Sequence, residues 1–291
     1  MEYDYPLYRP PSEAYSLILQ VTLGCSHNAC TFCTMYKTKR YYEKSWSEIE
    51  SLINETAPLY PRTKRIFLAD GNALALPTEV LADTLEMLYA KFPHLERVSI
   101  YGGPLDALRK SPEELSILRQ KGLHLVYLGI ESGSDQILQF VNKGVSASEM
   151  IEAGKKVRAS GLLLSATVIS GLGGQEMWQE HSLETARVVS AINPDYLGFL
   201  TLSIPMGSLL GRQIDQGKFK LLTPWEILRE MELFLQNVEL EECVFRSNHA
   251  SNYFRLGGVL NRDRDELLQA VAVYLQDPRI KALPADSNRI L

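Results

Sequence analysis

Six short apolar runs, each followed by an amphipathic stretch, constrain the fold of this chain more than any other feature. The runs are "SLILQVT" from Ser16, "RIFLAD" from Arg65, "RVSIYGG" from Arg97, "HLVYLGI" from His124, "LLLSATVISG" from Leu162 and "DYLGFLTLS" from Asp195. Most are nearly continuous in apolar residues rather than alternating, which is how strands buried on both faces read. Between them lie helical patterns: "WSEIESLINETA" from Trp46, "PTEVLADTLEMLYAKF" from Pro77, "SPEELSILRQKG" with Ser111 as cap and Pro112 in the first turn, and "SASEMIEAGKKVRASG" ending on Gly161. Strand then helix, repeated, predicts a parallel sheet with right-handed crossovers. No Gly-rich nucleotide turn follows the first run, so a partial (β/α)6 TIM-like barrel fits better than an open sheet. That barrel is expected over residues 1–212, including a short N-terminal extension over 1–15. From about Thr223 the pattern changes to helix, loop, helix. Residues 213–291 are therefore expected to form a helical C-terminal extension packed on the barrel.

The chain has 291 residues, 45% of them hydrophobic and 22% charged, with a net charge of −5. That balance argues against a general phosphate-binding surface, and nucleic acid is not the expected partner. No apolar run approaches the roughly 20 residues of a membrane helix. The N-terminus lacks the basic-then-apolar pattern of a secretion signal, so the expected location is cytoplasmic. Thiols stay reduced there, and a cysteine cluster then points to a metal or catalytic site rather than a disulfide framework. Three of the four cysteines fall in "LGCSHNACTFCTMYK", directly after the first strand: Cys25, Cys30 and Cys33, spaced C-x4-C-x2-C. In a βα barrel such a loop opens at the face where chemistry is done. Three thiolates can hold three corners of a [4Fe-4S] cluster, leaving one iron open to a substrate or cofactor. The rival is a structural zinc site of Cys25, His27, Cys30 and Cys33, in a zinc-stabilised α/β binding protein without redox chemistry. It suffers from crowding, because Cys25 and His27 would ligate across a single residue.

The loop, with Phe32 just before its last cysteine, resembles the radical S-adenosylmethionine (SAM) superfamily, whose usual spacing is C-x3-C-x-aromatic-C. This chain carries one extra residue between the first two cysteines. "YLGIESGSDQILQFVNKGVS" (127–146) looks like the fourth-strand segment of the branch that includes the elongator catalytic subunit, methylthiotransferases and oxygen-independent coproporphyrinogen oxidase. "GLLLSATVISGLGGQ" (161–175) and "DYLGFLTLSIPMGSLL" (195–210) are similar to that branch's fifth strand with its glycine turn and its sixth strand with a proline-glycine segment.

The resemblance implies an enzyme with two cofactors, a single [4Fe-4S] cluster on Cys25, Cys30 and Cys33 and SAM on its open iron. Reductive cleavage of SAM would give a 5′-deoxyadenosyl radical that abstracts hydrogen from substrate. The protein supplies position and exclusion of water. By the same resemblance Phe32 lies near the adenine, Glu131 grips the ribose hydroxyls, and backbone from Val168 to Gly171 holds the adenine. In "FLADGNAL" only Gly71 matches the family's glycine turn directly, while Asp70 and Asn72 offer acceptors to the SAM ammonium or form an Asx turn. Ser132 either joins Glu131 or caps the next helix. Lys143 is a candidate for the SAM carboxylate or a cation at a helix C-terminus.

"NVELEECVFRSNHASNYFRLGG" (237–258) lies outside the resemblance. Arg246, Ser247, Asn248, His249, Ser251, Asn252 and Tyr253 make it dense in donors and acceptors between Phe245 and Phe254. Arg246, His249 and Tyr253 are candidates for substrate contact; an internally bonded loop is the bland reading. Cys243 reads as a buried small hydrophobe. With one cysteine beyond the trio there is no auxiliary cluster, and the basic nucleic-acid barrel of methylthiotransferases has no counterpart. The expected substrate is a small molecule or peptide, the expected electron donor a low-potential protein such as flavodoxin or ferredoxin. A radical SAM enzyme acting on RNA is the variant that the acidic charge disfavours.

Overall fold

A computed structural model describes residues 2–204 and 207–285. Pro205 and Met206, in the proline-glycine segment after the sixth expected strand, fall outside the described residues. The strands are β1 (Leu17–Gln20), β2 (Thr22–Leu23), β3 (Tyr42–Glu43), β4 (Arg65–Ala69), β5 (Arg97–Gly102), β6 (Leu123–Glu131), β7 (Leu163–Ser170), β8 (Tyr196–Thr201), β9 (Cys243–Arg246) and β10 (Gly257–Leu260). The helices are α1 (Trp46–Thr56), α2 (Thr78–Lys91), α3 (Pro104–Arg109), α4 (Pro112–Gln120), α5 (Asp135–Phe140), α6 (Ala147–Ala159), α7 (Gly174–Ile192), α8 (Leu209–Asp215), α9 (Pro224–Asn237), α10 (Arg264–Gln276) and α11 (Pro278–Lys281). All six expected strands form, as β1 and β4 to β8, and the fold is α/β with mostly parallel strands. Two compact units share it. The first is Met1–Asn28, Thr34–Leu128 and Ala153–Leu164; the second is Ala29–Cys33, Gly129–Glu152 and Ser165–Leu291.

In the first unit β1, β4, β5 and β6 run parallel in that order. Alternation along the strands puts Ile18, Phe67, Ala69, Leu125 and Tyr127 in one apolar cluster. Leu19, Ile66 and Leu68 fall on the opposite face and are fully buried, as are Ile49 and Ile53 of α1. Helix α1 starts where Ser45 and Glu48 close a capping box, and α4 where Ser111 and Glu114 do the same. The N-terminal extension is tied to the strands. Tyr3 packs on the cluster and donates its hydroxyl to Ile18 O at 3.1 Å. Buried Glu13 takes Arg97 Nη2 and the Tyr127 hydroxyl, each at 2.7 Å.

In the second unit β7, β8 and β9 are parallel, and β10 pairs antiparallel to β9. Helix α9 packs on α7 and α10. The C-terminal region is thus helical in α9, α10 and α11, and it also holds two strands that the sequence pattern does not show. Both are four residues long, and neither sits in a longer apolar run such as the one that marks β1.

Candidate active site

In the first unit the chain leaves β1 through β2 and reaches Gly24, Cys25 and Ser26, next to the Asp70-Gly71-Asn72 turn that follows β4. Asp70 Oδ2 accepts the Gly24 N–H at 3.1 Å, and Asn72 Oδ1 accepts the Ser26 N–H at 2.9 Å. The peptide groups on both sides of Cys25 are therefore held by one turn. Gly71 is required for the fit. A Cβ there would stand 2.4 Å from Gly24 O and 2.8 Å from Cys25 Cα. The clamp is itself braced from behind. Lys39 Nζ pairs with Asp70 Oδ2 at 2.9 Å, with both side chains buried, and Asn72 Nδ2 donates to Asp106 Oδ2 at 2.6 Å. Burial pushes the Asp106 carboxyl above the usual carboxylate range, against the hydrogen bonds from Asn72 and Gly103. Asp70 Oδ1 and the Tyr36 hydroxyl beside it are both buried, and burial and then the Asp70 carboxylate push the Tyr36 hydroxyl well above its usual range. Sequence reasoning turned Asp70 and Asn72 toward a ligand. The structure spends one acceptor of each on the cysteine loop.

The second unit contains Cys30, Phe32 and Cys33. The Thr31 N–H donates to Val141 O at 2.9 Å, and the Leu210 N–H donates to Thr31 O at 3.1 Å, so this segment is also pinned from two sides. Phe32 is half-buried against a cluster that includes Val141, Leu172 and Leu202. Leu172 and Leu202 directly follow β7 and β8, which places the segment at the C-terminal ends of those strands. Glu131, with φ +65°, ends β6. Its Oε1 pairs with Lys143 Nζ at 2.9 Å, and each side chain is about one-tenth exposed. The structure thus brings together two residues that the sequence offered separately. Gly129 makes room for the pair, since a Cβ there would lie 2.1 Å from Glu131 Oε1. Ser132 does not cap the following helix; Ser134 does, accepting the Ile137 N–H at 3.2 Å. The Ser132 hydroxyl is buried and bonds His181 Nδ1 at 2.8 Å.

Val168 is fully buried in β7. Gly171, with φ +85°, opens the turn after that strand, and its N–H donates to Glu230 Oε1 of α9 at 2.9 Å. Glu230 and His181 are both essentially fully buried, 3.9 Å apart. Burial raises Glu230 to about 8, against the pull of the Gly171 N–H, and lowers His181 to about 4. Both therefore stand neutral at pH 7. Ser170 Oγ lies beside the Glu230 carboxyl at the end of β7, and both residues are buried. Sequence reasoning missed Glu230 and His181. A signal for Glu230 existed: it falls on the same helical face as Ile227, Met231 and Phe234, where a lone acid needs a partner.

The polar C-terminal stretch follows β9. Arg246 belongs to that strand, paired with Gly257, and its guanidinium reaches Phe245 O at 2.7 Å. Asn252 is buried and bridges β8. It accepts from Thr201 Oγ1 at 3.0 Å and donates to Phe199 O at 2.7 Å. His249 bonds Ser251 Oγ at 2.8 Å, and burial lowers its pKa. Tyr253, Phe254 and Phe245 are buried, as is Cys243. Because Thr201 is the last residue of β8, the loop lies at the C-terminal end of the second unit's parallel strands, the end that carries Gly171 and Glu131.

Cys25, Cys30 and Cys33 are half-buried and Cys243 is buried. The family model of the radical SAM superfamily matches residues 19–186, from β1 into α7. The chain belongs to the radical SAM superfamily. Its members are enzymes, and the family implies a [4Fe-4S] cluster and SAM. An uncharacterized methyltransferase of Pyrococcus horikoshii is 32% identical over 65% of this chain and 39% of its own length. An uncharacterized protein of Methanocaldococcus jannaschii is 30% identical over 72% of this chain and 67% of its own length. The chain thus spans about two fifths of the first of these relatives. The fold is shared with a radical SAM methyltransferase of Kitasatospora setae, solved with cobalamin and a [4Fe-4S] cluster. The match has a TM-score of 0.58 at 15% identity over 94% of this chain and 55% of that one. Among the described residues no helix is long and apolar enough to cross a membrane, and no three His, Cys, Asp or Glu side chains are grouped as a metal site. The donor type nonetheless suits an iron–sulfur cluster: three half-buried cysteine sulfurs, soft ligands on backbone that is pinned within each unit.

Proposed function

We propose that this enzyme reductively cleaves SAM at a single [4Fe-4S] cluster held by Cys25, Cys30 and Cys33. The observation that carries the reading is the way the cysteine loop is held. Asp70 and Asn72 fix the peptides around Cys25, while Val141 and Leu210 fix Thr31 between Cys30 and Cys33. Thiols on rigid backbone are what a cluster requires and what an ordinary surface loop lacks. When bound, the cluster supplies an electron, drawn from a low-potential donor such as flavodoxin or ferredoxin, that splits SAM into methionine and a 5′-deoxyadenosyl radical able to take hydrogen from substrate. The chain's own residues bind and orient. Glu131 offers a carboxylate to the ribose hydroxyls, steadied by Lys143, and Asp70 Oδ1 accepts from the SAM ammonium. The backbone of Val168 to Gly171 borders the adenine, with Phe32 at its edge. His249 and Tyr253, on the loop after β9, screen the reacting centre from water.

The test is anaerobic reconstitution followed by metal analysis. About four iron and four sulfide per chain, with absorbance near 400 nm and 5′-deoxyadenosine released on reduction, is the expected result. Cys25→Ala, Cys30→Ala and Cys33→Ala should each abolish both signals, while Cys243→Ala and His27→Ala should keep them. A colourless protein holding one zinc, lost in His27→Ala, would refute the proposal.

A further inference from the structure

At the other end of the first unit's strands lies an open cleft of about 730 Å³. Leu17 and Arg65, which line it, are the first residues of β1 and β4, whereas the turn that holds Cys25 follows the last residue of β4. Four tyrosines border the cleft: Tyr3, Tyr5, Tyr15 and Tyr60. Tyr15 is 93% exposed and Tyr5 73%. Tyr3 and Tyr5 meet edge to face, with centroids 6.3 Å apart. Four cations complete the lining, Arg9, Arg62, Lys64 and Arg65, and no acidic residue is among the described lining residues. Glu96 pairs with Lys64 from outside the lining at 2.7 Å. The cleft therefore keeps a net positive charge on a chain whose total is −5.

Flat aromatic faces left in water, interleaved with arginines, have a specific chemical complement. Bases stack on tyrosine regardless of sequence, and phosphates pair with the guanidinium fork. An acidic peptide would satisfy the cations and leave the rings without a partner. A lipid surface is flat and would need the rings to protrude together, whereas these line a concavity. We propose that this cleft binds single-stranded nucleic acid, with bases on the tyrosines and phosphates on Arg9, Arg62, Lys64 and Arg65. The site stands apart from the turn around Cys25 and needs nothing from the radical chemistry proposed above.

The measurement is fluorescence anisotropy of a labelled oligonucleotide, RNA or DNA, of about 12 residues, within the usual span of such sites. The full-length, reconstituted protein is titrated at several salt concentrations. Saturable binding that weakens with salt is expected. Arg62→Gln with Arg65→Gln should lower the log–log salt slope by about 1.4, at roughly 0.7 per phosphate contact on a single strand. Restoring both charges as Arg62→Lys with Arg65→Lys should return the slope. Tyr15→Ala with Tyr60→Ala should weaken binding about tenfold or more at an unchanged slope. Iron content and melting temperature should match the wild type in all three variants, since the altered side chains are exposed. Three results would each overturn the proposal: no saturable binding to either oligonucleotide, tyrosine variants that bind as the wild type does, or equal competition by polyglutamate. Preferential binding to phosphatidylcholine vesicles containing one quarter phosphatidylserine would replace it with a membrane site.

Discussion

Replacing Glu230 with Gln should remove a specific pH dependence of stability. In the folded chain the buried carboxyl titrates near 8, against 4.5 for the ordinary side chain. Between those values the unfolded chain has lost the proton and the folded chain keeps it, so stability falls as pH rises through the window. His181 works in the opposite sense. Its pKa falls from 6.5 to about 4, so the unfolded chain binds the extra proton between 4 and 6.5, and stability rises with pH there. The two slopes oppose each other up to pH 6.5. Above it only Glu230 still titrates. At 1.36 kcal/mol per unit, the interval from 6.5 to 8 costs the wild type about 2 kcal/mol, or roughly 4 °C in melting temperature. Glutamine keeps the shape and can still accept the Gly171 N–H, but it cannot ionise. Calorimetric melting of both proteins at pH 6.5 and 8.0 should therefore show a gap that shifts by about 2 kcal/mol in favour of the variant. Taking the difference between the two proteins cancels every other group that titrates in that range. Parallel pH profiles would mean that Glu230 is already ionised in the fold, and the account of a neutral buried pair would fail.

Two further perturbations separate cluster assembly from SAM binding. Glu131→Ala should retain iron but weaken SAM binding by about 1–3 kcal/mol, the cost of losing charged hydrogen bonds; equal affinities in equilibrium dialysis would remove Glu131 from the site. Gly71→Ala should do the reverse of a surface change. With a methyl 2.4 Å from Gly24 O, the loop carrying Cys25 must move, so iron per chain should fall along with a stability loss of about 1–3 kcal/mol. Full iron content and an unchanged melting curve would show that the turn does not hold the loop.

The parallel strands and main helices were legible because each is a local pattern: near-continuous apolar runs for the strands, a Ser cap and a 3.6-residue stripe for the helices. β9 and β10 were not, since neither lies in an extended apolar run. The candidate site was legible as a list of residues and not as a set of partnerships. Asp70 lies 46 positions from the Gly24 N–H it accepts, and nothing local shows which way its carboxylate turns. Ser132 and Ser134 are equally good caps by type, and only the buried His181 decides between them. Net charge has the same limit. The value of −5 is an average over the chain, and it hides the cations that the fold gathers around the N-terminal ends of β1 and β4.

The division between the conserved-looking motifs and the C-terminal region is therefore not a division between a working part and a cover. The family match ends at residue 186, inside α7, yet the turn after β7 is completed from beyond it, and the end of β8, itself past the match, from further along still. The turn after β7 takes its anchor from Glu230 on α9. The end of β8 takes its anchor from Asn252, which satisfies both Thr201 Oγ1 and Phe199 O. Each anchor is a buried polar side chain whose removal leaves a main-chain or hydroxyl group unpaired, which costs more than the bond itself contributes. A truncation after α7 would keep Cys25, Cys30 and Cys33 and the whole span that the family model matches. By this reasoning it would still loosen the turn at Gly171, because the group that fixes that turn lies 59 residues further along the chain.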